Sequence, residues 1–375
     1  HELKTLAENA ASPYYAAAGY LIFGRSGDLW AAPFDPKRLQ LAGTPVPVLQ
    51  GVAHTLGGLL EGYAVSESGG LTFIPGSSSR DERKLVEVDR KGKPSTITPE
   101  LNAYEDLSLS PDGQRLALTV EGSPWSIWTL DLQHGTLAKL TFEGDNRDSM
   151  WTADGKSVAY SSLRNGEGGI YEKLADGSAP EHLLLRAPDW AFASSFSSDG
   201  KMMAYTQNDP KSNYDIWLLP LSTDAKPRVF LQTPVAEWFP QFSPDSRWIA
   251  YESNESGRAE IYVEPAAGQG GRWQISNNGG VRPVWPRKDP EIFYQQGNKL
   301  MAVPVQFGPK FSFGSPQELF TGDYYASGHY FDATPDGQHF FFIQSVPQTS
   351  AQTELRVVLN WAAGLARQMH SATGP

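Results

Sequence analysis

A four-residue turn box recurs along the chain, and its spacing constrains the fold more than any other feature. It reads Ser110-Pro111-Asp112-Gly113, Thr152-Ala153-Asp154-Gly155, Ser197-Ser198-Asp199-Gly200, Ser243-Pro244-Asp245-Ser246 and Thr334-Pro335-Asp336-Gly337. Weaker copies are Ala16-Ala17-Ala18-Gly19, Ser66-Glu67-Ser68-Gly69 and Pro286-Arg287-Lys288-Asp289. Counted to the last residue of each box, the steps are 50, 44, 42, 45, 46, 43 and 48 residues. Self-similarity at such a period marks a repeat architecture, in which one small unit is built many times.

The surroundings of the box name the unit. A short apolar strand precedes it, as in Ser149-Met150-Trp151, and a second follows, as in Val158-Ala159-Tyr160 or Ile249-Ala250-Tyr251. Asp-Gly between two strands predicts a two-residue hairpin turn with both central residues at positive φ. A third strand carries an aliphatic–aromatic pair (Ile127-Trp128, Ile170-Tyr171, Ile216-Trp217, Ile261-Tyr262), and a short fourth closes the unit. Four antiparallel strands per repeat make a propeller blade. No helical pattern separates the strands, which excludes a parallel α/β sheet. The expectation is an all-β protein: a single toroidal β-propeller over residues 1–361, eight-bladed, with seven blades as the alternative. Its last unit ends at Leu355-Arg356-Val357-Val358-Leu359 without a fourth strand, and Glu2-Leu3-Lys4-Thr5-Leu6 supplies one, closing the ring and removing exposed edges. Beyond it, 362–375 forms a short tail helix, with Asn360 as cap and Trp361, Leu365 and Met369 on one side.

Composition narrows the function. The 375 residues contain 36 Gly and 28 Pro, the turn formers a repeat of hairpins needs, and 12% aromatics. A net charge of −11, without a local basic patch, excludes general nucleic-acid binding. The absence of cysteine excludes disulfides, thiol nucleophiles and thiolate metal sites. Apolar runs fall far short of the ~20 residues of a membrane span. The chain opens on His1 rather than Met, as a mature form or a fragment would.

Three stretches carry a resemblance: Gly27-Asp28-Leu29-Trp30-Ala31-Ala32-Pro33-Phe34-Asp35, Ser243-Pro244-Asp245-Ser246-Arg247-Trp248-Ile249-Ala250-Tyr251 and Val357-Val358-Leu359-Asn360-Trp361. With the boxes, they resemble the WD40-like repeats of TolB-type β-propellers. More closely, they resemble the propeller regions at the C-terminal end of bacterial serine/threonine protein kinases, common in acidobacteria. No Trp-Asp dipeptide occurs, so the true WD40 signature is missing. The resemblance implies a sensor or binding portion held outside the membrane, in the periplasm or at the cell surface. Kinase activity is excluded, because the Gly-rich loop and the His-Arg-Asp and Asp-Phe-Gly motifs are absent. A serine hydrolase is excluded by the lack of a Gly-x-Ser-x-Gly elbow.

Residues a few positions before each box are expected at the mouth of the central channel, where propellers place their ligands. As contacts for a small molecule, sugar, peptide or protein partner, the sequence offers Tyr104, Glu105, Trp190, Trp238, Tyr325 and Tyr330. The rival reading is a promiscuous metal-dependent hydrolase of phosphate esters, lactones or other activated esters. In it a divalent ion (Zn, Mn or Ca) in the channel is held by His54, Glu61, Asp106 and His329, and activates water. Asp148, Asp189 or Glu237 would act as base, and Arg147 or Arg282 would stabilise developing negative charge. Either histidine would also suit a proton shuttle if it titrates near ~6.5. The plain alternative is a polar channel filled with ordered water, with no local metal motif and no certain cofactor.

Overall fold

The computed structural model describes the chain except residues 1–4, 8–9, 17–18, 26–27, 53–61, 67, 76–81, 123, 165, 210–211, 223–225, 269, 309, 325–328, 347–353 and 373–375. It divides into two compact units, 82–346 and 1–81 with 347–375.

The larger unit is a propeller of antiparallel blades. Blade 1 runs through Tyr104–Leu109, Arg115–Val120, Ser126–Asp131 and Leu137–Lys139. Blade 2 runs through Asp145–Trp151, Ser157–Arg164, Glu167–Leu174 and His182–Ala187. Blade 3 comprises Ala191–Phe196, Met202–Asp209, Asn213–Pro220 and Arg228–Leu231. Blade 4 comprises Glu237–Phe242, Trp248–Ser253, Glu260–Pro265 and Trp273–Gln274. In blade 5, Val281–Val284 and Glu291–Gln296 precede Lys299–Phe307, which pairs with both Phe311–Phe313 and Gln317–Thr321. Blade 6 takes its inner strands, Phe331–Ala333 and His339–Ser345, from the end of the unit and its outer strands, Arg83–Asp89 and Pro94–Thr96, from the beginning.

Blades 6 and 1 are neighbours: the Leu107 N–H donates to the His329 carbonyl at 2.7 Å, and the Leu109 N–H to Asp332 Oδ2 at 2.8 Å. The ring therefore closes on six blades, not eight or seven. Arg83–Asp89 takes the closing place expected for residues 2–6, of which 2–4 lie outside the described residues and 5–6 carry no strand. The closing strand wins on area and register. His339–Ser345 pairs with Arg83–Asp89 along its whole length, from His339↔Asp89 to Ser345↔Arg83, and Leu85, Val86 and Val88 are buried there.

The first two boxes, which lack the aspartate, belong to the smaller unit. Its sheets are Ala11–Ala16, Tyr20–Arg25, Asp28–Asp35, Gln40–Leu41 and Val46–Leu49, and Tyr63–Val65, Leu71–Phe73 and Arg356–Val358. The stretch expected to end the last blade thus pairs instead with Leu71–Phe73. The tail helix spans Trp361–Ala372 and buries Trp361, Leu365 and Met369, the side foreseen from their spacing.

The boxes turn by a different route from the expected one. In each full box the last residue alone has positive φ: 76° at Gly113, 68° at Gly155 and Gly200, 58° at Ser246, 64° at Gly337. Its N–H donates to the carbonyl of the first box residue, at 2.8 Å in the Gly113–Ser110 case. The aspartate bonds through its side chain: Asp112 Oδ1 accepts from Ser110 Oγ and from the Gln114 N–H, and Ser110 Oγ accepts from the Arg115 N–H at 2.9 Å. The same ring of bonds closes at Thr152, Ser197, Ser243 and Thr334.

Between blades, the second and third strands supply the core. Ala204, Ile216 and Leu218 of blade 3 pack on Phe242, Ile249 and Tyr251 of blade 4. The repeated second-strand tyrosines are packing residues, stacked on the aromatic of the third strand: Tyr160 on Tyr171 at 6.3 Å, Tyr205 on Trp217 at 6.5 Å, Tyr251 on Tyr262 at 5.9 Å. Replacing Leu85, which is wholly buried in the closing strand, by Ala should destabilise the propeller by about 2–5 kcal/mol, the usual cost of a buried Leu→Ala change. Val357→Ala, at an exposed strand of the other unit, should move the urea midpoint little. Equal effects would show that Arg83–Asp89 does not close the ring.

Candidate functional site

The inner strands of blades 1 to 5 are each broken by an irregularity in register, between Tyr104 and Asp106, Arg147 and Met150, Ala193 and Ser195, Trp238 and Gln241, and Val281 and Val284. Such bulges re-aim side chains. Asp148, Phe239 and Arg282 sit in them with left-handed backbones, φ 51°, 52° and 57°. A non-glycine residue pays for that conformation, and strain of this kind gathers at functional sites. Each of the three lies four residues before the first residue of its box, as Asp106 does in blade 1.

Around the channel these residues meet. The Arg282 guanidinium lies over the Phe239 ring, 3.4 Å from its centroid, and 5.8 Å from that of Tyr330. Phe239 also meets the His329 ring edge-on at 5.6 Å. Asp106 accepts the backbone N–H of His329, and the Arg282 N–H donates to Glu252 Oε2 at 3.2 Å. Asp148, Phe239 and Arg282 are half-buried, whereas Asp106 and His329 are 2% and 7% exposed.

Surrounded by blades, these groups lose hydration, and their acid–base behaviour follows. Burial pushes Asp106 up to about 6, with the Glu105 charge adding to it. Burial, then the neighbouring Asp106, raises Asp148 well above the usual carboxylate range. Burial also lowers the Arg282 guanidinium from its ordinary value, opposed by Glu252, Tyr330, Asp106 and Asp148. His329 is pulled down to about 3 by burial and by Arg282, so it stays neutral near pH 7, which argues against it as the expected proton shuttle; His54, the other candidate, lies outside the described residues.

Outward from Phe239 runs an aromatic face. Trp238 stacks on Phe239 at 5.7 Å and meets Tyr214 at 3.5 Å and Phe192 at 6.3 Å. Phe192 and Trp190 stack with nearly parallel rings, 2° apart in tilt with centroids 6.0 Å apart. Arg147 then bridges to blade 1, 4.9 Å from the Trp190 ring and 4.0 Å from that of Trp125. All these side chains are half-buried. Of them the sequence pointed to Trp190, Trp238 and Arg147. It missed Trp125, Phe192, Tyr214 and Phe239, although Phe239 was marked by its place four residues before a box.

The remaining expected site residues part company. Tyr104 is wholly buried, its pKa pushed up to about 12 by burial, and Tyr330 is 2% exposed, so neither is open to a ligand as expected. Glu105 is held by Arg83 of the closing strand, Nη1 to Oε2 at 2.6 Å, which makes it a tie between blades 1 and 6. Glu237, expected as a base, is 1% exposed and accepts from Thr233 Oγ1, with its other oxygen unpartnered. Asp189 is exposed and accepts from the Trp190 N–H at 2.8 Å and from Asn208 Nδ2 at 3.3 Å. The three proposed bases thus have separate surroundings. His54, Glu61 and Tyr325 lie outside the described residues. Among the described residues no three His, Cys, Asp or Glu side chains group as a metal site, so Asp106 and His329 do not form one with other such residues.

No family model matches the sequence. An uncharacterized protein of Agrobacterium fabrum is 27% identical over 198 residues, 51% of this chain and 64% of that protein, so the match spans just under two thirds of the relative's length. Among solved structures, a putative TolB from Agrobacterium tumefaciens is similar with a TM-score of 0.58 and 18% identity, covering 71% of this chain and 99% of that one. TolB from Acinetobacter baumannii gives a TM-score of 0.48 at 14% identity, over 89% and 80% of the two chains. The likeness shows the fold, a TolB-type β-propeller of four-stranded blades. No helix among the described residues is long and apolar enough to cross a membrane.

The buried carboxyls set a pH dependence. Burial raises Asp106 and Asp332 to about 6 and Glu237 to about 7. Between about pH 4.5 and 7 the folded propeller therefore holds protons that the unfolded chain has released, so stability falls as pH rises through this window. The melting temperature should drop from pH 5 to pH 8. Glu237→Gln should flatten the drop and exceed the wild type above pH 7; a variant with the wild-type slope would show that Glu237 titrates normally.

Proposed function

We propose that the protein is a ligand-binding propeller, acting as the sensor portion of a bacterial receptor of the serine/threonine kinase type and without kinase activity of its own. The observation that carries the binding reading is the aromatic face from Trp125 to Phe239, which leads into a channel whose bulged residues are held at left-handed backbones. Half-buried aromatic rings in contiguous array retain apolar area that a ligand can cover, and they present rigid surfaces at little entropic cost. The receptor role rests on the three sequence stretches that resemble kinase-linked propellers, and it puts the domain outside the cytoplasm. The dispersed positions of Asp148, Asp189 and Glu237 give the hydrolase reading no comparable support.

A thermal-shift and tryptophan-fluorescence screen of sugars, peptides and small metabolites tests the binding reading. Ligands that raise the melting temperature should lose about tenfold or more in affinity in Trp238→Ala, the scale of a central aromatic contact worth ~2 kcal/mol. Trp128→Ala, away from this face in the third strand of blade 1, should bind as wild type does. Binders indifferent to Trp238 would place the binding surface elsewhere.

A further inference from the structure

Arg282 contrasts with two other arginines of the propeller. Arg83 pairs with Glu105 and Arg164 with Glu181, each at 2.6 Å. Among the described residues Arg282 makes no ion pair within 4.0 Å, and its Nη1 is buried with no hydrogen-bond partner. Its head group rests on the Phe239 ring, which neutralises nothing. A buried charge is normally paired, because desolvation costs more than a lone cation–π contact returns. Moreover, the guanidinium is placed there at the expense of a left-handed backbone. What its Nη1 lacks among the described residues is a hydrogen-bond acceptor, since Glu252, Asp106 and Asp148 act on its charge from beyond ion-pair distance.

We infer that Arg282 anchors a carboxylate subsite, and that the channel mouth takes the acidic end of a sugar acid. This deepens the binding reading and rests on it. A planar fork of donors matches a carboxylate. Glu252, Asp106 and Asp148 stand near Arg282 and act on its charge. A dianionic phosphate would meet three carboxyls and one cation, which disfavours it; with Asp148 raised well above the usual carboxylate range, a monoanion is tolerated. Asp148, half-buried among the bulged residues, accepts hydrogen bonds from hydroxyl groups, which a pyranose supplies in number. The flat faces of Trp238, Phe192 and Trp190 suit the C–H face of such a ring.

Calorimetry and tryptophan fluorescence on the full chain would use cellobiouronic acid, its methyl ester, cellobiose, glucose 6-phosphate and N-acetylphenylalanine. The expected result is binding of the acid at least tenfold tighter than of its ester or of cellobiose. That margin should vanish in Arg282→Gln and return in part in Arg282→Lys, which keeps the charge without the fork. Should Arg282→Gln fail to fold, the comparison of acid with ester on the wild-type protein and Arg282→Lys still decide. Equal binding of acid and cellobiose would overturn the carboxylate subsite and leave the aromatic face as a sugar platform. Tighter binding of the phosphate or of N-acetylphenylalanine would overturn the sugar acid. Binding of no probe would also overturn it, while the Trp238 screen judges the binding reading separately.

Discussion

The hydrogen-bonded box is the constraint from which the rest of the propeller follows. Its Ser or Thr hydroxyl and its Asp carboxylate satisfy the backbone donors of a tight turn, and the last residue absorbs the left-handed step. That locks the register of the two inner strands, and a locked register determines which residue falls in the bulge four positions upstream. The box thus aims Asp148 and Phe239, although it sits at the opposite end of the strand from them. At the box end, neighbouring blades are stitched together directly: Arg115 Nη2 donates to the Gly155 carbonyl at 2.7 Å, and the Ser198 N–H to Ser246 Oγ at 2.8 Å.

What the bulges deliver to the channel is costly. Carboxyls that have lost water are pushed towards neutrality, an imidazole is prevented from charging, and one guanidinium nitrogen has no hydrogen-bond partner among the described residues. A stability-optimised core would have filled these positions with apolar side chains, as the surfaces between blades do. The contrast between dry, well-packed blade interfaces and an under-satisfied centre is what separates the scaffold from the site.

Much of the fold was legible because it is periodic. The boxes, the tyrosines of the second strand and the aliphatic–aromatic pairs of the third all recur with the blade, and all proved to be its hinges and packing. Closure was illegible for a physical reason. Strand pairing is decided by side-chain area and register between distant segments, and Glu2-Leu3-Lys4-Thr5-Leu6 looks as strand-like on paper as Arg83–Asp89. The degenerate boxes ending at Gly19 and Gly69, which lack the aspartate, were the available hint that those repeats lie outside the ring. At the site, counting back from the box reached Asp106, Asp148 and Arg282. It did not separate Trp238, which lies on the aromatic face, from Glu237, its neighbour, which is buried beside Thr233.

Blade 6 joins segments some 250 residues apart, since Arg83 pairs with Ser345. The closing strand leaves the ribosome ahead of the other blades and must wait for almost the entire ring before its partner exists. Pairing of such high sequence separation is slow, because the loop-closure entropy is spent before any contact returns it. During that wait Arg83–Asp89 is an unpaired edge open to other chains. Its alternation of Leu85, Val86 and Val88 with Arg83, Lys84, Glu87 and Asp89 places charge along that edge. The same strand that completes the ring thus carries its own protection against aggregation while synthesis proceeds.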